Sequence, residues 1–154
     1  MSAETEALVQ EIIANHRNMQ GAALPILHAV QEAIGYVPED AIPAIAEALN
    51  ITRAEMHGVV TFYHDFRREP AGRHVLKLCR AEACQARGGD AIAARAEQKL
   101  GVAIGETTAD RAVTLEAIYC LGLCASGPSA MLDERLVGRL DDARLDALIA
   151  EARV

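Results

Sequence analysis

The chain has 154 residues, 51% hydrophobic and 24% charged, which is room for one core or two small ones and too apolar for a disordered protein. Its net charge of −7 excludes a duplex-binding surface, which has to be basic, so no nucleic-acid partner is expected. No stretch nears the roughly 18 consecutive apolar residues of a membrane helix, and the start, Met1-Ser2-Ala3-Glu4-Thr5-Glu6, lacks both parts of a secretory signal. A chain with no membrane span and a cytoplasmic setting is expected. Thirty alanines inflate the hydrophobic figure, and only five side chains are aromatic.

Residues 1–71 carry four Lys/Arg against ten Asp/Glu, with four of the five histidines and four of the five aromatics. Residues 72–154 carry eleven against twelve, and all four cysteines. That asymmetry places a boundary in the turn-forming stretch Glu69-Pro70-Ala71-Gly72. The first part, 1–71, reads as helix throughout. Leu8, Val9, Ile12 and Ile13 mark one apolar stripe; Leu27, Val30 and Ile34 mark a second, which Gly35 closes. Pro38 is expected to open a third helix, with Ile42, Ile45, Ala46 and Leu49 inward and Asn50 at its end. Thr52 and Glu55 form a capping box for a fourth, running from about 53 into the 59–66 region.

The second part, 72–154, alternates. Val75 to Leu78 is a short strand-like run that ends at Cys79. Gly88-Gly89-Asp90 starts a helix with Ile92, Ala93, Ala96 and Leu100 inward, and Gly101 stops it. Val113, Leu115, Ala117 and Tyr119 alternate with Thr114, Glu116 and Ile118, a strand period leading into Cys120. Ala130–Leu132 and Leu136–Val137 flank Asp133-Glu134-Arg135 as a hairpin. Asp141 caps a last helix, with Leu140 and Leu145 as its hydrophobic staple. The order β-α-β-β-β-α is that of a small sheet with helices packed on it. No G-x-G-x-x-G follows a strand and no phosphate-binding loop is present; Gly101-Val102-Ala103-Ile104-Gly105 is a helix exit.

The cysteines read C-x4-C, 35 residues, then C-x3-C: Cys79, Cys84, Cys120 and Cys124. Each pair sits at the end of an expected strand, so one sheet edge can gather four thiolates. Such a set suits tetrahedral zinc or the two irons of a [2Fe–2S] cluster. The missing C-x2-C knuckles count against a zinc ribbon, but spacing alone leaves zinc, a cluster and redox-active thiols open. Gly122, Gly127 and Pro128 make the second loop tight enough to aim N–H groups at sulfur. His16, His28, His57, His64 and His74 show no ligand spacing, although His57 and His64 could meet on adjacent turns.

Cys79-Arg80-Ala81-Glu82-Ala83-Cys84-Gln85-Ala86-Arg87-Gly88, then Cys120-Leu121-Gly122-Leu123-Cys124 and Gly127-Pro128, resembles the thioredoxin-like [2Fe–2S] subunit family of NAD-linked complexes. These are respiratory NADH:quinone oxidoreductase, NAD-dependent hydrogenase and soluble molybdenum formate dehydrogenase. Gly35-Tyr36-Val37-Pro38 and Gly58-Val59-Val60-Thr61-Phe62-Tyr63-His64-Asp65-Phe66 extend the likeness from about residue 20 to the C-terminus. The segment from Cys120 to Met131, and a Val137–Asp141 stretch without Tyr, look most like the gamma subunit of the formate dehydrogenase branch.

The resemblance implies an α+β chain: an N-terminal helical bundle at 1–71 that serves docking, and a thioredoxin-like α/β [2Fe–2S] ferredoxin domain at 72–154. One [2Fe–2S] cluster is then held with Cys79 and Cys84 on one iron and Cys120 and Cys124 on the other. No catalytic residue is expected on this chain. FMN, NAD, the molybdenum cofactor and further iron–sulfur clusters are expected on a flavin/NAD-binding subunit and a molybdenum/iron–sulfur catalytic subunit. The alternatives are the equivalent subunit of the respiratory complex or the hydrogenase, a free-standing [2Fe–2S] ferredoxin, or a zinc-stabilised module. Arg80 and Arg87 either offset cluster charge or are solvated loop residues. Phe62, Tyr63 and Phe66 are either a core plug or a docking surface.

Overall fold

Helix boundaries in the first part of the chain follow from side chains that can take over unpaired backbone groups. The computed structural model describes residues 1–154, which separate into two units, Met1–Pro70 and Ala71–Val154. In the first, α1 (Ala3–His16) begins behind Ser2, whose hydroxyl accepts from the Thr5 amide. Helix α2 (Ala23–Ile34) stops at Gly35, which adopts φ 91°, a left-handed conformation that costs glycine little.

The third helix starts later than Pro38 predicts. Pro38 is extended, a 3₁₀ turn covers Glu39–Ala41, and α3 spans Ile42–Ala48. Pro43 explains the delay. In a helix begun at Pro38 its ring would strike the Glu39 carbonyl and its missing N–H would leave a gap, whereas in the first turn of α3 neither matters. Asn50 follows with φ 55°. Helix α4 (Arg53–Phe62) carries the full capping box: the Thr52 hydroxyl accepts from the Glu55 amide, and the Glu55 carboxylate accepts from the Thr52 amide. It ends at Phe62, short of residue 66, because Tyr63 turns extended.

One core joins the four helices through Val9, Ile12, Ile13, Ile26, Leu27, Val30, Ile45, Met56 and Val60. Gln31 holds the segment after α4 onto α2: its amide donates to the Asp65 carbonyl and its carbonyl accepts from the Arg67 amide. Phe66 is thereby buried, with its ring centroid 4.9 Å from that of His28. The aromatic trio stays in edge-on contact, with centroids 5.1 and 6.3 Å apart, but divides in exposure, since Phe62, at 73%, and Tyr63 face solvent. The histidines also separate. His57 lies 3.9 Å from Glu39, and the His64 ring meets the Phe62 carbonyl.

The second unit is a four-stranded sheet in the order β2-β1-β3-β4, from β1 (His74–Cys79), β2 (Val113–Ile118), β3 (Ala130–Leu132) and β4 (Arg135–Val137). Strands β1 and β2 are parallel; β3 is antiparallel to both β1 and β4. Helix α6 (Gly89–Leu100) makes the crossover between β1 and β2. Before it lies α5 (Glu82–Gln85), a single turn too short to leave a periodic signal. Helix α7 (Asp142–Ala152) follows β4, with Asp141 accepting from the Arg144 amide.

Alternation of side chains puts Leu76 and Leu78, Val113 and Leu115, and Ala130 and Leu132 on one sheet face. They share a core with Ile92, Ala93, Ala96 and Leu100 of α6 and with Leu145, Leu148, Ile149 and Ala152 of α7. Leu140 is buried with Leu145, as a staple requires. Arg95 of α6 grips Asp146 of α7 through two hydrogen bonds, of 3.0 and 2.7 Å. Strand β2 is shorter than the alternation predicts: Tyr119 lies beyond it, 76% exposed. No helix in the chain is long and apolar enough to cross a membrane.

Candidate metal centre

Strand direction decides where the cysteines meet. Parallel β1 and β2 end at the same sheet edge, with Cys79 opposite Ile118. Antiparallel β3 begins at that edge, with Ala130 opposite Leu78. The chain after β1, the chain after β2 and the chain before β3 therefore converge. Backbone bonds tie them: the Cys79 amide donates to the Ser129 carbonyl at 2.9 Å, and the Arg80 amide to the Ile118 carbonyl at 2.8 Å. Cys79 lies on β1, Cys84 on α5, and Cys120 and Cys124 on the loop between β2 and β3.

Cys79 and Cys84 are buried, at 4% and 1% exposure, while Cys120 and Cys124 are exposed. Gly89 and Gly127 make room for Cys84. A Cβ on Gly89 would sit 2.7 Å from the Cys84 carbonyl oxygen, and one on Gly127 would sit 3.1 Å from Cys84 Sγ. The outer loop is shaped differently. Cys120 adopts φ 90°, which costs a residue with a side chain about 1–2 kcal/mol. Gly122 is also left-handed, a 3₁₀ turn covers Cys124–Ser126, and the Gly127–Pro128 peptide is cis.

Burial opposes ionisation of Cys79, yet the Ala81 amide, the Cys84 thiol and the Cys120 and Leu121 amides together hold its pKa below the ordinary thiol range. Cys124 is pushed the other way, by its hydrogen bond to Cys120, the Cys120 charge, burial, and the charges of Cys84 and Cys79. Cys124 thus feels the other three cysteines. Cys120 Sγ and Cys124 Sγ are 3.5 Å apart, and the Gly122 amide donates to Cys120 Sγ at 3.4 Å. Two thiolates on one tetrahedral metal, each at about 2.3 Å, stand roughly 3.8 Å apart, close to that spacing. No three of the chain's His, Cys, Asp and Glu side chains converge on a point for a single ion. The thiols stand as two pairs, which suits two metals sharing four thiolates. Soft sulfur donors with amide N–H groups aimed at them fit an iron–sulfur cluster.

Of the two arginines, Arg87 is exposed and only Arg80 departs from a solvated loop residue. Arg80 is half-buried and lies 3.0 Å from Asp90 at the start of α6. Arg87 donates to the Ala125 carbonyl at 2.8 Å, tying the chain after Cys84 to the residue after Cys124. Spacing in the sequence held no signal for that strut, because its partners are 38 residues apart. Ser129 was also missed; its hydroxyl lies 3.5 Å from Cys84 Sγ.

Several known proteins are similar to this chain. A subunit of NADH-quinone oxidoreductase from Escherichia coli K12 is 40% identical over 133 residues, covering 86% of this chain and 80% of that protein. Its counterpart from Pseudomonas aeruginosa, which bears the same name, is 35% identical over 146 residues, covering 94% and 86%. A crystal structure of NAD+-reducing [NiFe]-hydrogenase in its air-oxidised state aligns at 26% identity with a TM-score of 0.68. That alignment covers 82% of this chain but only 22% of the hydrogenase chain. Residues 9–153 match the thioredoxin-like [2Fe–2S] ferredoxin family, and the chain belongs to it.

Proposed function

We propose that this chain is the electron-transfer subunit of a multisubunit NAD-linked oxidoreductase, that it holds one [2Fe–2S] cluster on Cys79, Cys84, Cys120 and Cys124, and that the parent enzyme is an NAD-dependent formate dehydrogenase. The convergence of two cysteine pairs at one sheet edge, with amides already directed at Cys79 and Cys120, carries the cluster assignment. When bound, such a cluster takes up and passes on one electron at a time. The chain's own residues hold, shield and tune. Cys79 and Cys84 would serve one iron from the buried side, and Cys120 and Cys124 the other at the surface. Burial around the inner pair excludes water, and the N–H groups favour added negative charge on sulfur.

FMN, NAD+ and the molybdenum centre that oxidises formate belong, in this reading, to partner subunits: one that binds flavin and NAD, and one that carries molybdenum with further iron–sulfur clusters. This chain has no nucleotide loop and is assigned no catalytic residue. The helical unit is the docking element, with Phe62 and Tyr63 among its exposed side chains. The segment from Cys120 to Met131 and the Tyr-free stretch Val137–Asp141 support the formate branch. A second reading, the respiratory complex, is favoured by the 40% identity to the Escherichia coli NADH-quinone oxidoreductase protein.

Tagging the chain in its native host and purifying what comes with it separates the readings. The formate reading predicts flavin- and molybdenum-containing partners and formate-dependent reduction of NAD+ by the purified complex. Recovery with a quinone-reducing complex inactive on formate would replace it with the second reading. A stable monomer that keeps its cluster would mark a free-standing carrier.

A further inference from the structure

We propose that the Ser129 hydroxyl is a positioning and tuning donor to the Cys84 sulfur, raising the reduction potential of the cluster that the proposed function places there. Three polar side chains in the chain are buried: Thr108, Thr114 and Ser129. Two are satisfied by nearby backbone and side-chain partners. The Thr108 hydroxyl donates to Asp110 and accepts from the Val113 amide, and that of Thr114 meets Thr107 and accepts from the Gly72 amide. The Ser129 hydroxyl, in a residue only 2% exposed, instead meets Cys84 Sγ at 3.5 Å.

Its direction follows from the chemistry of the sulfur. A free thiol could donate to the hydroxyl, but a thiolate that binds metal has no proton, so there Ser129 has to donate. The backbone holds it in place, because the Ser129 carbonyl accepts from the Cys79 amide at 2.9 Å. One residue thus fixes the amide of one inner cysteine and the sulfur of the other. Gly127 lies against the same sulfur, where even a Cβ would sit 3.1 Å from it. A proton directed at the sulfur stabilises the extra negative charge of the reduced state more than that of the oxidised state, which raises the potential.

The inference rests on the cluster assignment, and the test separates the two. Full-length protein and the Ser129→Ala variant are loaded with iron and sulfide, assayed for both elements, and titrated with EPR detection. Cluster content matching the unaltered protein with a more negative midpoint in Ser129→Ala is the expected result. An unchanged midpoint overturns the inference. Should Ser129→Ala fail to load, the isosteric pair Ser129→Thr and Ser129→Val replaces it. Threonine keeps the hydroxyl, so a midpoint above that of valine supports the inference and equal midpoints overturn it. Unaltered protein that takes up no iron and sulfide would instead sink the cluster assignment itself.

Discussion

The inner and outer cysteine pairs reach the same sheet edge by opposite means. Cys79 and Cys84 sit on a strand and a helical turn, both buried, with Gly89 and Gly127 seating Cys84. Cys120 and Cys124 sit in an exposed loop shaped by a left-handed cysteine, Gly122, a 3₁₀ turn and a cis Gly127–Pro128 peptide. Regular structure thus positions the shielded cysteines, and irregular backbone positions those near the surface. In the proposed cluster the two would divide the work: a dry inner side would set the potential, and an exposed outer side would shorten the electron's path to a partner.

The largest expected effect would break the comparison outright. In Cys84→Ser the new hydroxyl has no solvent nearby to help complete the iron's coordination, whereas Cys124→Ser lies where water can enter. Iron and sulfide per chain should be at least ~10-fold lower in Cys84→Ser than in Cys124→Ser. Equal losses would mean that burial does not distinguish the pairs. Next comes Gly89→Ala, whose methyl meets the Cys84 carbonyl. Urea unfolding of the apoprotein should show a loss of about 1–3 kcal/mol, with reduced cluster uptake. An unaffected variant would show that the inner seat is not tight.

A smaller change of opposite sign tests the outer loop. Cys120→Gly removes the cost of φ 90°, so its apoprotein should be about 1 kcal/mol more stable than Cys120→Ala in the same urea experiment. Neither variant should load normally. The smallest effect concerns the clamp between α6 and α7. Hydrogen bonds from Arg95 and then Lys99 lower the Asp146 pKa from 3.8 to about 2. A carboxylate favoured by the folded state contributes fully above its unfolded pKa, and the contribution fades as pH falls through the folded value. Wild type should therefore lose stability relative to Asp146→Asn between about pH 4 and pH 2, as measured by urea unfolding across that range. Parallel pH curves would contradict the clamp.

The inner pair was far more legible in the sequence than the outer one. Val75–Leu78 with its terminal cysteine, the Gly88-Gly89 helix start and the Gly101 stop are local signals, and each recurs in the structure. The Thr52–Glu55 box and the Asp141 cap were readable for the same reason. Cys120 in a left-handed conformation was not readable, because nothing local asks a cysteine to adopt it; the loop imposes it. Pro38 misled because Pro43, five residues on, decides where α3 can begin. Phe62, Tyr63 and Phe66 do cluster, with ring centroids 5.1 and 6.3 Å apart, but the end of α4 buries Phe66 alone, a split that local pattern does not show. Arg87 and Ser129 act across 38 and 45 residues, distances at which periodicity carries no information.

The most direct test of the central claim is the metal and sulfide content of protein purified without oxygen. Two irons and two acid-labile sulfides per chain, with the visible absorption of a [2Fe–2S] centre, are the expected result. A colourless protein with one zinc and no sulfide would contradict it.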